Sequence, residues 1–201
     1  MSGFYRFIRA IVRVVLNIIF RVRVVGIENV PSEGGAVLCS NHTSMTDIAL
    51  LIAYCPRAIS FMAKAELFKN KFLGYIFRKM NAFPVERRKS DKSAVKNARQ
   101  IVENGEILGI FPEGTRKPSG PPAKAKAGAA FIALGAKADI IPVSIYREGK
   151  QGLFSKTTMR FGKPIPYLQL PETDGVVTKS ALSETTNIIM RNITSLWEMG
   201  Y

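Results

Sequence analysis

Short apolar or alternating runs recur along the chain, and between them lie stretches whose apolar positions repeat every three or four residues. The short runs are "RVRVVGI" (21–27), "GAVLCS" (35–40), "AISFMA" (58–63), "ILGIF" (107–111), "DIIPVSIY" (139–146) and "TTMRFG" (157–162), and each reads as a strand. Helical periodicity predicts helices over Thr46–Tyr54, Ser93–Asn104, Gly128–Ala136 and Ser180–Trp197. Ser90 or Asp91 can cap the second of these, and Gly105 can take the left-handed position after its end. Strands interleaved with helices predict an α/β domain. "RKPSGPPAKAKAG" (116–128) interrupts the pattern, and its Pro, Gly and Lys content reads as a flexible basic loop. There is no internal repeat, and no linker divides the chain after residue 24.

The first segment has a different pattern. In "FYRFIRAIVRVVLNIIFRVR" (4–23) the polar positions are Arg6, Arg9, Arg13, Asn17 and Arg21. On a helix they fall within an arc of about 120°, leaving the remainder apolar. Arginines recur too often for a spanning helix, and no small-residue cleavage site follows, so neither a membrane span nor a cleaved signal is expected. Apolar bulk with a narrow cationic stripe predicts an amphipathic helix lying on a membrane surface over residues 1–23, ahead of one domain over 24–201. A core helix with a solvated basic face would give the same stripe. It would leave the apolar remainder, about two thirds of the circumference, to be covered by a small domain.

A second basic and aromatic stretch runs through "KAELFKNKFLGYIFRKMNAFPVERRKSDK" (64–92). Its aromatics cluster as one helix face instead of spaced base-stacking platforms, so single-stranded nucleic acid is the poorer fit. It reads as a second membrane contact, as the wall of a site for an acyl chain and a phosphate, or as a core helix with a basic outer face.

Composition sharpens this. The 201 residues carry 29 Lys and Arg against 15 Asp and Glu, a net charge of +14, which favours an anionic partner. A hydrophobic fraction of 47% is that of a folded domain with a sizeable core. The two cysteines, Cys39 and Cys55, have neither disulfide-framework nor metal-ligand spacing; with a single histidine, no metal site is expected. No nucleic-acid motif is visible, and no nucleic-acid partner is expected.

That histidine, His42, follows the strand "GAVLCS", and Asp47 comes five residues later across a strand–turn–helix corner. Asn41, Ser44 and Thr46 are all able to cap the helix start. Asp47 can turn back onto one ring nitrogen, fixing the tautomer and raising the basicity of the other nitrogen, as a general base requires. A histidine that merely caps the turn would satisfy the same spacing. In "ILGIFPEGTR" (107–116) a buried strand ends in a turn carrying Glu113, Gly114, Thr115 and Arg116. Ligands of open α/β sheets bind at such carboxyl ends. Arg116 offers a forked cation for phosphate, which Glu113 could hold in place. A surface turn with a salt bridge remains the alternative.

Together "NHTSMTD", "FMAKAELF", "FPVER", "FPEGTR" and "IIPVSI" resemble, in order and approximate spacing, the motifs of the glycerolipid acyltransferase family, over about residues 22–165. The resemblance is nearest to the bacterial lysophosphatidate acyltransferases. It implies a mixed central sheet flanked by helices and transfer of a fatty acyl group to 1-acyl-glycerol 3-phosphate, giving phosphatidic acid. It implies His42 held by Asp47 as the base, Lys64 with backbone N–H groups at the tetrahedral oxyanion, and Glu113, Gly114, Thr115 and Arg116 at the acceptor, with Arg116 on phosphate. Arg87, or Arg88 beside it, matches a second basic acceptor contact, and Pro142 a motif tied to the acyl donor or to packing near it. The donor would be acyl-CoA or acyl carrier protein, used as co-substrate without a cofactor. Glycerol 3-phosphate or another lysolipid is the alternative acceptor, and a non-catalytic basic membrane-binding protein the alternative class. The partners implied are lysophosphatidic acid, the acyl donor and an anionic membrane surface, with the protein peripheral or monotopic on the cytoplasmic face. Lys124 and Lys126 could meet the phosphates of CoA or the acidic face of a carrier, although "KPSGPPAKAKAG" spreads its lysines more than the family's loop does.

Overall fold

A computed structural model describes residues 1–86, 92–117, 120–122, 124–148, 154–171 and 176–201. Its helices are α1 (Gly3–Ile19), α2 (Thr46–Tyr54), α3 (Lys71–Lys79), α4 (Lys92–Glu103), α5 (Gly128–Gly135) and α6 (Lys179–Glu198). Its strands are β1 (Arg21–Val25), β2 (Ala36–Ser40), β3 (Ile59–Lys64), β4 (Ala82–Val85), β5 (Ile107–Ile110), β6 (Asp139–Arg147) and β7 (Lys156–Phe161). The seven strands form one sheet in the order β1-β7-β6-β2-β5-β3-β4. All neighbours run parallel except β6 and β7, so the sheet is mixed, as expected.

Every residue of β2 is buried because helices cover both sheet faces. Its side chains alternate: Ala36 and Leu38 join Leu50, Leu51, Tyr54 and Leu16 on the α1–α2 face. Val37 and Cys39 join Ala98, Val102, Ala130, Ala133, Ile189 and Ile193 on the α4–α5–α6 face. Small residues let the layers close together. A side chain on Gly35 would stand 1.8 Å from the Val102 carbonyl oxygen, and one on Gly109 would stand 2.3 Å from the Phe61 ring. Gly105 takes φ +81° after α4, the left-handed position expected of it. The proposed caps Ser90 and Asp91 lie outside the described residues.

One strand has no counterpart in the pattern. Pro84 argues against a strand, yet it sits in β4, whose only neighbour among the described residues is β3. At a sheet edge the missing N–H faces no partner, so proline is tolerated there. The stretch after β3 forms a short 3₁₀ turn, Ala65–Phe68, and then α3. Within α3 the only buried residue is Gly74, which has no side chain, while Phe72 is 71% exposed and Leu73 and Tyr75 also face outward, so α3 is not a core helix.

Helix α1 lies against α2 through part of its circumference. Leu16 joins the core, and the Tyr5 hydroxyl, on a ring 1% exposed, accepts a hydrogen bond from the Ile59 N–H at 3.2 Å. Arg9 donates to the Ala53 carbonyl at 3.2 Å, Tyr54 donates to Asn17, and the Arg13 guanidinium lies over the Tyr54 ring. The polar stripe therefore flanks the docked face, while Phe7, Ile11, Val14, Val15 and Ile18 point outward, Phe7 at 63% and Ile18 at 66% exposure. Among the described residues, no helix is long and apolar enough to cross a membrane.

Candidate active site

Three adjacent strands, β5, β2 and β6, end at the same edge of the sheet, where the chain order switches from one side of β2 to the other. Such a switch point opens a crevice beyond the carboxyl ends of the strands. His42 follows β2, Glu113 follows β5, and Arg147 is the last residue of β6. Asn41 closes the end of β2 onto β6: its side-chain amide donates to the Ile145 carbonyl at 2.9 Å and accepts from the Ile145 N–H at 2.7 Å. The amide thus continues the ladder past the last backbone pair, Ser40 with Val143.

His42 and Asp47 meet as the spacing predicts, with His42 Nδ1 3.0 Å from Asp47 Oδ2. The same oxygen accepts the Thr43 N–H at 2.6 Å and the Ser44 N–H at 2.8 Å, so the carboxylate also ties off the free donors of the turn before α2. Of the three residues able to cap that helix, Ser44 accepts from the Thr46 N–H at 3.3 Å, whereas Asn41 is taken by β6. Because an ionised carboxylate only accepts, Nδ1 must carry the proton, which leaves Nε2 as the basic nitrogen. Nε2 has no partner among the described residues. The imidazole stacks on Phe111, ring centroids 4.0 Å apart, and Phe111 stacks in turn on Phe61.

Asp47 has no exposed surface. Burial on its own pushes its carboxyl up, but the bond from His42, the Arg147 charge and the Ser44 N–H together outweigh burial and hold it below the ordinary carboxylate range. Arg147 Nη2 stands 2.6 Å from Asp47 Oδ1 and 3.0 Å from Thr46 Oγ1, and Nη1 donates to Thr43 Oγ1. Sequence reading missed Arg147. In "VSIYREG" it looks like a surface residue at a strand end, and its partner lies 100 positions earlier.

The "FPEGTR" turn comes to the same place. Glu113 is buried, and its Oε2 accepts the His42 backbone N–H at 2.8 Å, while the His42 carbonyl accepts the Lys117 N–H at 2.8 Å. The turn therefore grips the histidine backbone from both sides. Gly114 takes φ +72°, and the Lys126 side chain packs 3.1–3.3 Å from where a β-carbon would stand, so a larger residue would displace Lys126. Thr115 and Arg116 are exposed at the mouth. Lys64 ends β3 at the same edge but two strands from β2, exposed, with no hydrogen bond to His42 or Asp47. Arg87 and Arg88 lie outside the described residues. Pro142 is buried in β6, its ring 3.0 Å from where a side chain on Gly162 would stand. Both cysteines are free and buried, and burial pushes the Cys39 thiol far up and Cys55 to about 11, so neither is a ready nucleophile. Among the described residues, no group of three or more His, Cys, Asp or Glu is placed to hold a metal ion.

Comparison with known proteins gives consistent results. The sequence profile of the Acyltransferase family matches residues 21–146. The chain is 34% identical over 188 residues to the 1-acyl-sn-glycerol-3-phosphate acyltransferase of Bacillus subtilis, covering 91% of this chain and 93% of that one. It is 31% identical over 169 residues to the enzyme of the same name from Streptococcus pneumoniae, covering 81% of this chain and 62% of that one. The crystal structure of the 1-acyl-sn-glycerophosphate (LPA) acyltransferase of Thermotoga maritima superposes with a TM-score of 0.73 over 96% of this chain and 79% of that one. At 24% identity, that likeness speaks for the fold.

Proposed function

The chain belongs to the acyltransferase family, and on that premise we propose that it transfers a fatty acyl group from an acyl thioester to the sn-2 hydroxyl of 1-acyl-glycerol 3-phosphate, giving phosphatidic acid. One observation carries the mechanism: an imidazole at the carboxyl edge of the sheet whose Nδ1 is held by a buried, ion-paired carboxylate and whose Nε2 has no hydrogen-bond partner among the described residues. Nε2 takes the proton of the acceptor hydroxyl as its oxygen attacks the thioester carbon. The tetrahedral oxyanion collapses, the C–S bond breaks, and the imidazolium returns the proton to the departing thiolate. Asp47 stabilises the imidazolium without itself taking the proton. Arg116, exposed and forked, is the phosphate ligand, with Thr115 beside it. Glu113 positions His42 through its backbone. Lys64, on the same edge, donates to the oxyanion together with backbone N–H groups. Arg87 is assigned the second acceptor contact on its motif alone.

The outward apolar face of α1, flanked by Arg6, Arg9 and Arg13, supports placing the protein peripherally on an anionic membrane surface; the cytoplasmic side is assigned on the family resemblance alone. The aromatics of α3 supply a second patch of the same character.

The test is acyl transfer to lysophosphatidate in detergent micelles, with palmitoyl-CoA and palmitoyl carrier protein offered separately and phosphatidate followed by mass. His42→Ala should lower the rate by about 10²- to 10⁴-fold in a protein that still melts as a folded domain. No phosphatidate from wild type with either donor would move the search to glycerol 3-phosphate and other lysolipids. Equal rates from both proteins would sink the general base.

A further inference from the structure

Asp47 divides its bonds unequally. Three donors meet at Oδ2, whereas Oδ1 has one charged partner, Arg147, reaching in from β6. The Arg147 side chain is 5% exposed and Asp47 fully buried, so this pair is shielded from solvent screening. The guanidinium also spans the β2–α2 turn, donating to Thr43 Oγ1 and Thr46 Oγ1, which fixes its plane and, through it, the plane of the carboxylate. The hydrogen bonds of Arg147 go to Asp47, Thr43 and Thr46 and none goes to the imidazole.

A buried carboxylate needs a compensating charge, and at this site two cations can supply it. Were it the imidazolium, His42 would rest already protonated and unable to accept a proton. With Arg147 present, neutral His42, Asp47 carboxylate and Arg147 sum to zero, and the base rests empty. We propose that Arg147 is a positioning residue for the acyl transfer: it supplies the counter-charge to Asp47 so that His42 stays neutral, and it locks the carboxylate in the plane that selects the Nδ1–H tautomer. This rests on the general-base reading of His42. Among the described residues, the charged groups facing His42 and its Asp47 partner are Glu113 on the turn after β5 and Arg147 on β6, with Lys117 bonded to the His42 carbonyl and Lys126 packed on Gly114 of the same turn.

Arg147→Gln removes the charge and Arg147→Lys keeps it. For Arg147→Gln we expect kcat to fall at least about tenfold with the KM for lysophosphatidate within about twofold of wild type. The acid limb of the kcat–pH profile should move to higher pH. Arg147→Lys should recover most of kcat and return the profile toward wild type. His42 is the only histidine in the chain, so its ¹⁵N imidazole signals can be read without assignment. At neutral pH they should show the neutral Nδ1–H tautomer in wild type and imidazolium or mixed tautomers in Arg147→Gln. A Thr43→Val/Thr46→Val double variant, which unseats the guanidinium but spares Asp47, should shift the signals the same way by less, and it replaces Arg147→Gln should that variant fail to fold. Wild-type ¹⁵N signals and an unmoved pH profile in Arg147→Gln would overturn the proposal, whatever happens to kcat, and so would an Arg147→Lys no better than Arg147→Gln. The imidazole signals do not depend on the acceptor, so a wild type that makes no phosphatidate would sink the acyl-transfer reading and leave this one still decided by the spectra.

Discussion

Asp47 shows how much one residue can carry. It satisfies the turn before α2, orients His42 and pairs with Arg147, all with no exposed surface. Its carboxyl is held below the ordinary range, so between the unfolded value near ~4 and its lower folded value the unfolded chain binds the extra proton. The stability contributed by Asp47 is therefore complete above about pH 4 and lost as pH falls through the folded value. Thermal melts of wild type and Asp47→Asn between pH 6 and 3 should show a gap that is constant at the upper end and narrows below about pH 4. A gap that stays constant throughout would mean that the carboxylate does not hold its charge more tightly in the fold. The pairing of His42 with Asp47 was legible in five residues of sequence. The Arg147 contribution was not, because a guanidinium at a strand end looks the same in sequence whether it faces solvent or a buried carboxylate.

At the scale of elements, α1 presents two apolar faces with an arginine flank between them. The inner face is committed: Tyr5 and Leu16 are buried, and the Tyr5 hydroxyl serves the first N–H of β3. The outer face is uncommitted within the described residues, and the membrane proposal assigns it to lipid. Phe7→Glu and Ile18→Glu should each weaken partitioning onto anionic vesicles about tenfold or more, since burying such a side chain is worth ~1.5–3 kcal/mol. Both variants should melt within a few degrees of wild type, because these side chains are mostly exposed, Phe7 at 63% and Ile18 at 66%. Vesicle binding unchanged in both would remove α1 from the lipid contact and leave α3 as the surface to test. The periodicity of α1 gave its helical state and its arginine stripe. It could not divide the apolar arc between core and exterior, because α2 and β3, which take the inner half, are brought beside it only by tertiary packing.

At the scale of the whole molecule, a charge of +14 on 201 residues acts at long range. The screening length falls from about 10 Å at 0.1 M salt to about 3 Å at 1 M. Co-sedimentation with anionic vesicles should therefore weaken steeply over that range and level off at the part carried by apolar side chains. Equal binding to zwitterionic vesicles at low salt would show that the charge plays no part. The sequence by itself determined the α/β class, the mixed sheet through its family resemblance, most element boundaries, and the two short motifs that hold His42, Asp47 and Glu113. Those features are local: a strand's period, a turn's glycine or a five-residue reach can be read within one window. Tertiary structure alone decided that Asn41 serves β6 instead of capping α2, that Glu113 grips the His42 backbone, that Pro84 lies on an edge strand, and that Arg147 completes the charge balance of Asp47. Each of these depends on which strands the fold sets side by side, and the order β5-β2-β6 is not written in any one segment of the chain.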